Sequence, residues 1–261
     1  MQKISLKKIN LNKASVVFTW DDNLSRQISH IASLFNKNEF RCTFYIVPGE
    51  KDFQNNYFLG YSELAKNDYE MGSHSYTHRY MTQLSMKGAE KEFQDAANAI
   101  YKYFKQYPIS FAFPHHDCNE ALVAQAKKHY LETRNTLNNS KRFSIKTQSS
   151  LEDLSKALTD AVEGKYNIIF SGHSIITEEE FLSKEQGEGY EPIRISVLED
   201  FLKLIKNYNA NIEVITFAQA SLKEYIREHE LFNGKESCFD DNSLLLLNSF
   251  GIDTERLITL L

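Results

Sequence analysis

The chain has 261 residues, 42% hydrophobic and 25% charged, a balance that builds a packed core and excludes a disordered chain. Its formal net charge is −5, from 30 Lys+Arg against 35 Asp+Glu, and no long basic run occurs, so a nucleic-acid partner is not expected. The 10 Gly and 4 Pro rule out a Gly/Pro-rich linker, and the length suits one α/β domain with an appendage.

Cys42, Cys118 and Cys238 are an odd, sparse set that reads as reduced thiols rather than a disulfide framework. The basic start, Met1 to Lys8, is not followed by an apolar run, so no signal peptide is expected, and no apolar stretch is long enough for a transmembrane helix. Together these features predict a cytoplasmic protein.

In chain order, strand Ser15–Thr19 is predicted, then a helix around Leu24–Phe35, then strands Cys42–Val47 and Glu70–Gly72. Helix Met86–Phe104, strand Ile109–Phe113, helix Glu120–Lys128 and strand Glu132–Arg134 follow. The series closes with helix Leu151–Val162, strand Asn167–Phe170, helix Ile195–Asn207, strand Ile212–Thr216 and helix Phe217–Glu228. Leu198, Phe201, Leu202 and Ile205 supply the helical period in the Ile195 segment. Strands alternating with helices imply βαβ units and a mainly parallel sheet, and seven such strands suit an α/β barrel better than a short open sheet. Residues 231–261 fall outside this rhythm. Leu244–Leu247 and Leu257–Leu261 predict a short C-terminal helical extension packed on the barrel, with a peripheral membrane or oligomer contact as the other reading.

Parallel α/β folds carry their chemistry at the C-terminal ends of strands. Four predicted strand ends here carry acids or imidazoles: Trp20-Asp21-Asp22-Asn23, Ser73-His74-Ser75-Tyr76-Thr77-His78, Pro114-His115-His116-Asp117 and Ser171-Gly172-His173-Ser174. Adjacent carboxylates at Asp21 and Asp22 repel unless a positive group sits nearby. A metal would supply it, one carboxylate binding the cation while the other faces a substrate water, whereas the plainer alternative has Asp22 capping the next helix. His74 and His78, four apart, would lie on one helical face at a spacing suited to chelating a cation. Ser75 stands where a thermolysin-like protease requires Glu. Ile176 spoils a serine-hydrolase elbow around Ser174, so His173 reads better as a general acid or base.

These segments together resemble the polysaccharide deacetylase family, the NodB-homology domain or carbohydrate esterase family 4. Thr19-Trp20-Asp21-Asp22-Asn23 is similar to the first family motif, Cys42-Thr43-Phe44-Tyr45 to the apolar segment after it, and His74-Ser75-Tyr76-Thr77-His78 to the second motif. Phe111-Ala112-Phe113-Pro114-His115-His116 resembles an altered third motif, and Gly172-His173-Ser174 the closing histidine motif. The resemblance spans roughly Ser15 to Glu228 and implies a distorted (β/α) barrel, with residues 1–230 forming the catalytic domain, and metal-dependent removal of an N-acetyl group from a sugar. It implies Asp22, His74 and His78 as ligands of one divalent cation, usually zinc, although cobalt, nickel or iron also suit that set. It further implies Asp21 as general base, His173 as general acid, and the Pro114-His115 turn, through the His115 N–H, as an oxyanion donor.

Two departures stand out. Asn23 replaces a motif Gly, and Asn tolerates a positive φ better than most residues. The Arg that usually pairs with the catalytic Asp is missing from the third motif, and Arg134 is the candidate to replace it; His116 would shape the loop or line the cleft. The expected substrate is a small saccharide or lipid-linked sugar. Competing readings are a deformylase or cyclic-imide hydrolase on the same metal site, a two-histidine-one-carboxylate iron oxygenase, and a non-catalytic saccharide-binding relative.

Overall fold

A computed structural model describes residues 10, 12–184, 187, 189–208 and 211–228. Its centre is strand β1 (Ala14–Asp21), buried from Ser15 onward. Such continuous burial marks a parallel strand covered on both faces. Alternation explains how one strand serves two cores. Val16, Phe18 and Trp20 join the layer beneath the helices, where the Phe18 ring packs 5.0 Å from Phe35 and 5.3 Å from Phe170. Val17 joins Ile169, Ile215 and Phe217 in a second cluster. Continuing the same alternation past Val17 places Thr19 and Asp21 on that second side.

The other strands are β2 (Thr43–Ile46), β3 (Glu70–Ser73), β4 (Ser110–Phe111), β5 (Glu132–Thr133), β6 (Ser140–Ser144), β7 (Asn167–Gly172), β8 (Ile175–Ile176), β9 (Ile193–Arg194) and β10 (Ile212–Val214). Eight of the ten form one parallel sheet in the order β5-β4-β3-β2-β1-β7-β6, with β10 pairing β1. β10 meets the first half of β1, at Ala14 to Val16, while β2 meets its second half, at Thr19 to Asp21. The sheet curls into an incomplete α/β barrel, so the distorted-barrel expectation holds. All its strands run the same way, so their C-terminal ends open on one mouth.

All seven predicted strands are present within a few residues. The eighth, β6, escapes the hydrophobic pattern because its sequence, SKRFS, is that of a polar edge strand with Lys141 and Arg142 exposed. β8 and β9 form a separate two-stranded parallel ladder of two residues each, too short to leave a pattern.

The helices are α1 (Ala32–Lys37), α2 (Phe58–Lys66), α3 (Met86–Phe104), α4 (Glu120–Ala126), α5 (Leu151–Gly164), α6 (Glu178–Leu182), α7 (Ile195–Asn207) and α8 (Phe217–Glu228). Side-chain caps start several of them: Ser85 accepts from Gly88 N before α3, Asn119 from Leu122 N before α4, and Ser150 with Asp153 forms a capping box on α5. α2 and α6 are additional to the sequence expectation. α1 and α2 are each entered through a π-helical turn, Gln27–Ile31 and Phe53–Tyr57 respectively, and an extra residue per turn blurs the 3.6 period. The predicted extension at residues 231–261 lies outside the described residues. No described helix is long and apolar enough to cross a membrane.

Candidate active site

β1 ends with Asp21, 4% exposed, and the chain then turns sharply, with Asp22 at φ 78° and Asn23 at φ 54°. Asn23 holds that turn with its amide. Its Oδ1 accepts from Val47 N at 2.8 Å and its Nδ2 donates to Val47 O at 2.9 Å, clamping the turn to the end of β2. This side chain in the left-handed region therefore supplies two bonds that the motif's glycine could not. Asp22 makes no capping bond to the following helix; its Oδ1 is buried with no aligned hydrogen-bond donor among the described residues.

Both carboxylates converge on the loop after β3. Asp22 Oδ1 lies 3.1 Å from His78 Nε2 and 3.5 Å from His74 Nε2, and Asp21 Oδ2 lies 3.8 Å from His74 Nε2. The expected helical face for the two histidines is not formed. Residues 74–78 are a loop in which Ser75 and His78 take left-handed φ of 63° and 58°, so no helical turn connects them. Glu92, on α3, organises that loop by accepting from Tyr76 N, Thr77 N and Thr77 Oγ1, while Ser75 Oγ accepts from His78 N. Gly49, on the loop after β2, approaches so closely that a Cβ there would sit 2.3 Å from Tyr76 O. Its N–H donates to that carbonyl at 2.9 Å. The imidazoles still meet, with ring centroids 5.0 Å apart.

His74 Nδ1 donates to Ala112 O at 2.7 Å. That bond fixes the tautomer and leaves the Nε2 lone pair for a cation. Burial pushes the His74 pKa down to about 4, so it is neutral near pH 7 as a ligand must be. For Asp22, burial favours the neutral acid, but His78 and His74 outweigh it and hold the carboxyl below its usual range. One ligand atom from each of Asp22, His74 and His78 lies within 4.8 Å of the others, and the unpartnered Asp22 Oδ1 is among the carboxylate atoms available. The donor chemistry fits a divalent cation of the zinc type.

Arg134, 3% exposed just beyond β5, grips Asp21 in a two-pronged ion pair, Nη1 to Oδ1 at 2.6 Å and Nη2 to Oδ2 at 2.7 Å. Nη1 also donates to Thr19 Oγ1 at 3.1 Å, and the guanidinium carbon lies 5.0 Å from the centre of the Tyr45 ring. Burial alone would raise the Asp21 pKa; Arg134 and His74 overcome it and hold the carboxyl far below the usual carboxylate range. Arg134, the last residue of the predicted strand Glu132–Arg134 and one residue past β5, thus occupies the side of Asp21.

His173, one residue past β7, places Nε2 3.7 Å from Asp22 Oδ2, and its ring stands edge-on to Tyr190. Ser174 Oγ is buried without a hydrogen-bond partner among the described residues, so none of them activates it as a nucleophile. Pro114 opens a tight 3₁₀ turn that puts His115 at φ 55°. The His115 N–H makes no hydrogen bond among the described residues. Its ring stacks on exposed Tyr80 at 4.0 Å and meets His78 at 4.6 Å.

Several contributors carried no sequence signal. Gln27, inside the π-helical turn, donates from Nε2 to both Asp21 O and His173 O, and its Oε1 accepts from Tyr61 OH at 2.7 Å. It ties the ends of β1 and β7 together. Beside Asp21 and His173 lies a cleft of about 270 Å³, whose wall includes His116, Arg142, Lys146 and Tyr190. None of the last three stands in a recognisable motif.

Residues 8–133 match the family model for polysaccharide deacetylase. The peptidoglycan-N-acetylmuramic acid deacetylase PdaC of Bacillus subtilis is 23% identical over 206 residues, which is 77% of this chain but 42% of that protein's length. Among solved structures, the Xyl-CE4 domain of a multidomain xylanase from the hindgut metagenome of Trinervitermes trinervoides superposes with a TM-score of 0.58 at 17% identity, covering 82% of this chain and 92% of that one. A mutant of a carbohydrate esterase family 4 pseudoenzyme with restored enzymatic activity also gives 0.58, at 16% identity, over 81% of this chain and 69% of that one. The family model over residues 8–133, the barrel and the residues gathered at its mouth agree on one likeness, that of this chain to the polysaccharide deacetylase family.

Proposed function

We propose that this chain is a metal-dependent N-deacetylase of an amino sugar or saccharide, with a small or lipid-linked sugar as substrate. The observation that carries the reading is the Asp22-His74-His78 donor set standing directly beside a buried carboxylate that Arg134 keeps ionised. Likeness of fold alone would not carry it, since a pseudoenzyme shares the barrel.

Asp22, His74 and His78 would hold the cation, with zinc as the expected ion. A divalent cation held there supplies Lewis-acid polarisation of the acetyl carbonyl and acidifies the attacking water, which a carboxylate as weakly basic as Asp21 requires. Asp21 takes the proton of that water as the new C–O bond forms. The His115 N–H, at its tight turn, donates to the developing oxyanion. His173 gives a proton to the amine as the C–N bond breaks, releasing acetate and the free amino sugar. Arg134 positions Asp21 and keeps it charged, and Gln27 fixes the spacing between Asp21 and His173 through their backbone carbonyls.

Acetate release from N-acetylated saccharides by wild type, Asp21→Asn and His173→Ala tests the reading. The expected result is turnover in wild type and its loss in both variants, with the metal content of each unchanged. Equal saccharide binding by wild type and Asp21→Asn, without acetate release from either, would reveal a non-catalytic binder. Release of formate in place of acetate would move the chemistry to another acyl group.

A further inference from the structure

The cleft beside Asp21 carries a positive charge that nothing in it cancels. Arg142, Ser144 and Lys146 lie on its wall at alternate positions along and just beyond β6, as strand geometry requires of side chains on one face. The other charges at the cleft are paired: Asp21 by Arg134, and Lys146 Nζ by Glu191 Oε2 at 2.9 Å. Arg142 has no carboxylate within 4.0 Å among the described residues. Its Nη1 donates instead to His116 Nδ1 at 2.9 Å. Burial and the neighbouring Arg142 and Arg134 charges push the His116 pKa down to about 4, so the imidazole is neutral and serves as an acceptor. The bond therefore orients the guanidinium without spending its charge, and one donor of five is engaged. Arg142 is exposed on this wall, so only partial desolvation and the nearby Arg134 charge act against its cation, with Asp21 acting for it. An anion accepted by the remaining fork would relieve both costs, and the guanidinium geometry suits a carboxylate or a phosphate in a two-pronged contact. A neutral sugar offers no such compensation. The volume, about 270 Å³, sits just below the usual range of small-molecule pockets, roughly 300–1,000 Å³.

We propose that Arg142, positioned by His116, makes this cleft selective for saccharides bearing an anionic group, a carboxylate or a phosphate, near the N-acetyl group to be removed. This rests on the reading of the same cleft as a saccharide deacetylase site. It also accounts for the altered third motif: His116 stands on the turn that carries it, and holds Arg142.

The test compares three N-acetylated probes on metal-loaded wild type, Arg142→Gln and Arg142→Lys. They are a neutral N-acetylglucosamine trimer, a saccharide containing N-acetylmuramic acid for the carboxylate, and N-acetylglucosamine 6-phosphate for the phosphate. Wild type is expected to favour at least one anionic probe over the neutral one by tenfold or more in kcat/KM. Arg142→Gln should cut that ratio about tenfold, and Arg142→Lys should restore part of it, with the preferred probe telling carboxylate from phosphate. A wild-type ratio near one, or a loss in Arg142→Gln that is equal for all three probes, overturns the proposal. Calorimetric binding of the same probes separates the two claims. Tighter anion binding lost in Arg142→Gln, without turnover of any probe, would leave the anion-reading cleft standing and remove the deacetylase reading. Equal binding of all three by wild type would remove the cleft proposal.

Discussion

Replacing Arg134 by Met leaves Asp21 charged in a nearly closed site. Asp21 and Arg134 are 4% and 3% exposed and joined by two short bonds of 2.6 and 2.7 Å. Removing one partner of such a pair strands the other charge, at a cost of about 3–5 kcal/mol. A marginally stable domain of about 5–15 kcal/mol would notice that loss at once. The double variant Asp21→Asn/Arg134→Met removes the stranded charge as well. It is therefore expected to be more stable than Arg134→Met alone, by about 2 kcal/mol or more, although it carries an additional substitution. The pH response gives an independent sign. In wild type the Asp21 pKa is depressed on folding, so its contribution is present above the unfolded-state value of about 3.9 and is lost as pH falls below it. In Arg134→Met, with burial no longer offset by the guanidinium, the folded pKa rises, and the deficit should shrink as the solution is acidified toward pH 4. Urea unfolding of the metal-free proteins at several pH values measures both effects. A double variant whose loss equals the sum of the two single losses would refute the claim that the pair is coupled through an uncompensated charge.

Gln27→Leu should cost about 2–4 kcal/mol by urea unfolding, because it strips partners from Asp21 O, His173 O and Tyr61 OH, and it should lower kcat more than it raises KM. An effect on KM alone would deny Gln27 its positioning role. Glu70 is half-buried, and its desolvation raises its pKa while it accepts from Thr43 Oγ1 and Ala218 N, at the start of α8. A raised carboxyl pKa favours folding below the unfolded value of about 4.3 and loses that advantage as pH climbs through the folded value. Glu70→Gln should therefore flatten stability against pH from about 4 upward, and an unchanged slope would contradict it. A Cβ on Gly72 would lie 2.6 Å from the Tyr45 ring and 2.7 Å from Ser110 Oγ, so Gly72→Ala should destabilise by about 1–3 kcal/mol in thermal or urea unfolding; a neutral outcome would mean that the ring gives way freely.

The sequence made legible those parts that hydrophobic periodicity and strand-end chemistry can carry. Helices Met86–Phe104 and Ile195–Asn207 match their predicted spans because each presents an apolar stripe of clear period, and Phe217–Glu228 also matches although it is buried on nearly every side. The grouping of Asp21, Asp22, His74, His78 and His173 followed from reading what stands after each parallel strand, and the geometry brings all five to one mouth. The conformation of the histidine loop was not legible. A spacing of four suggests a helix, but Ser75 and His78 in left-handed conformations, tied to Glu92 sixteen residues beyond Tyr76, build a loop with the same convergence. β6 was hidden because an edge strand needs no apolar alternation, and with it went Arg142. Gln27 was hidden for another reason. A polar residue bonding backbone carbonyls leaves no pattern, since its partners are set by topology and not by spacing.

The most direct test of the central claim is elemental analysis of freshly purified wild type and Asp22→Asn/His74→Ala, with acetate release from an N-acetylated saccharide measured on the same samples. The account predicts about one divalent ion per wild-type chain, with metal and acetate release lost together in the variant. A wild-type protein that takes up no metal even after reconstitution, or a variant that retains full turnover, would contradict it.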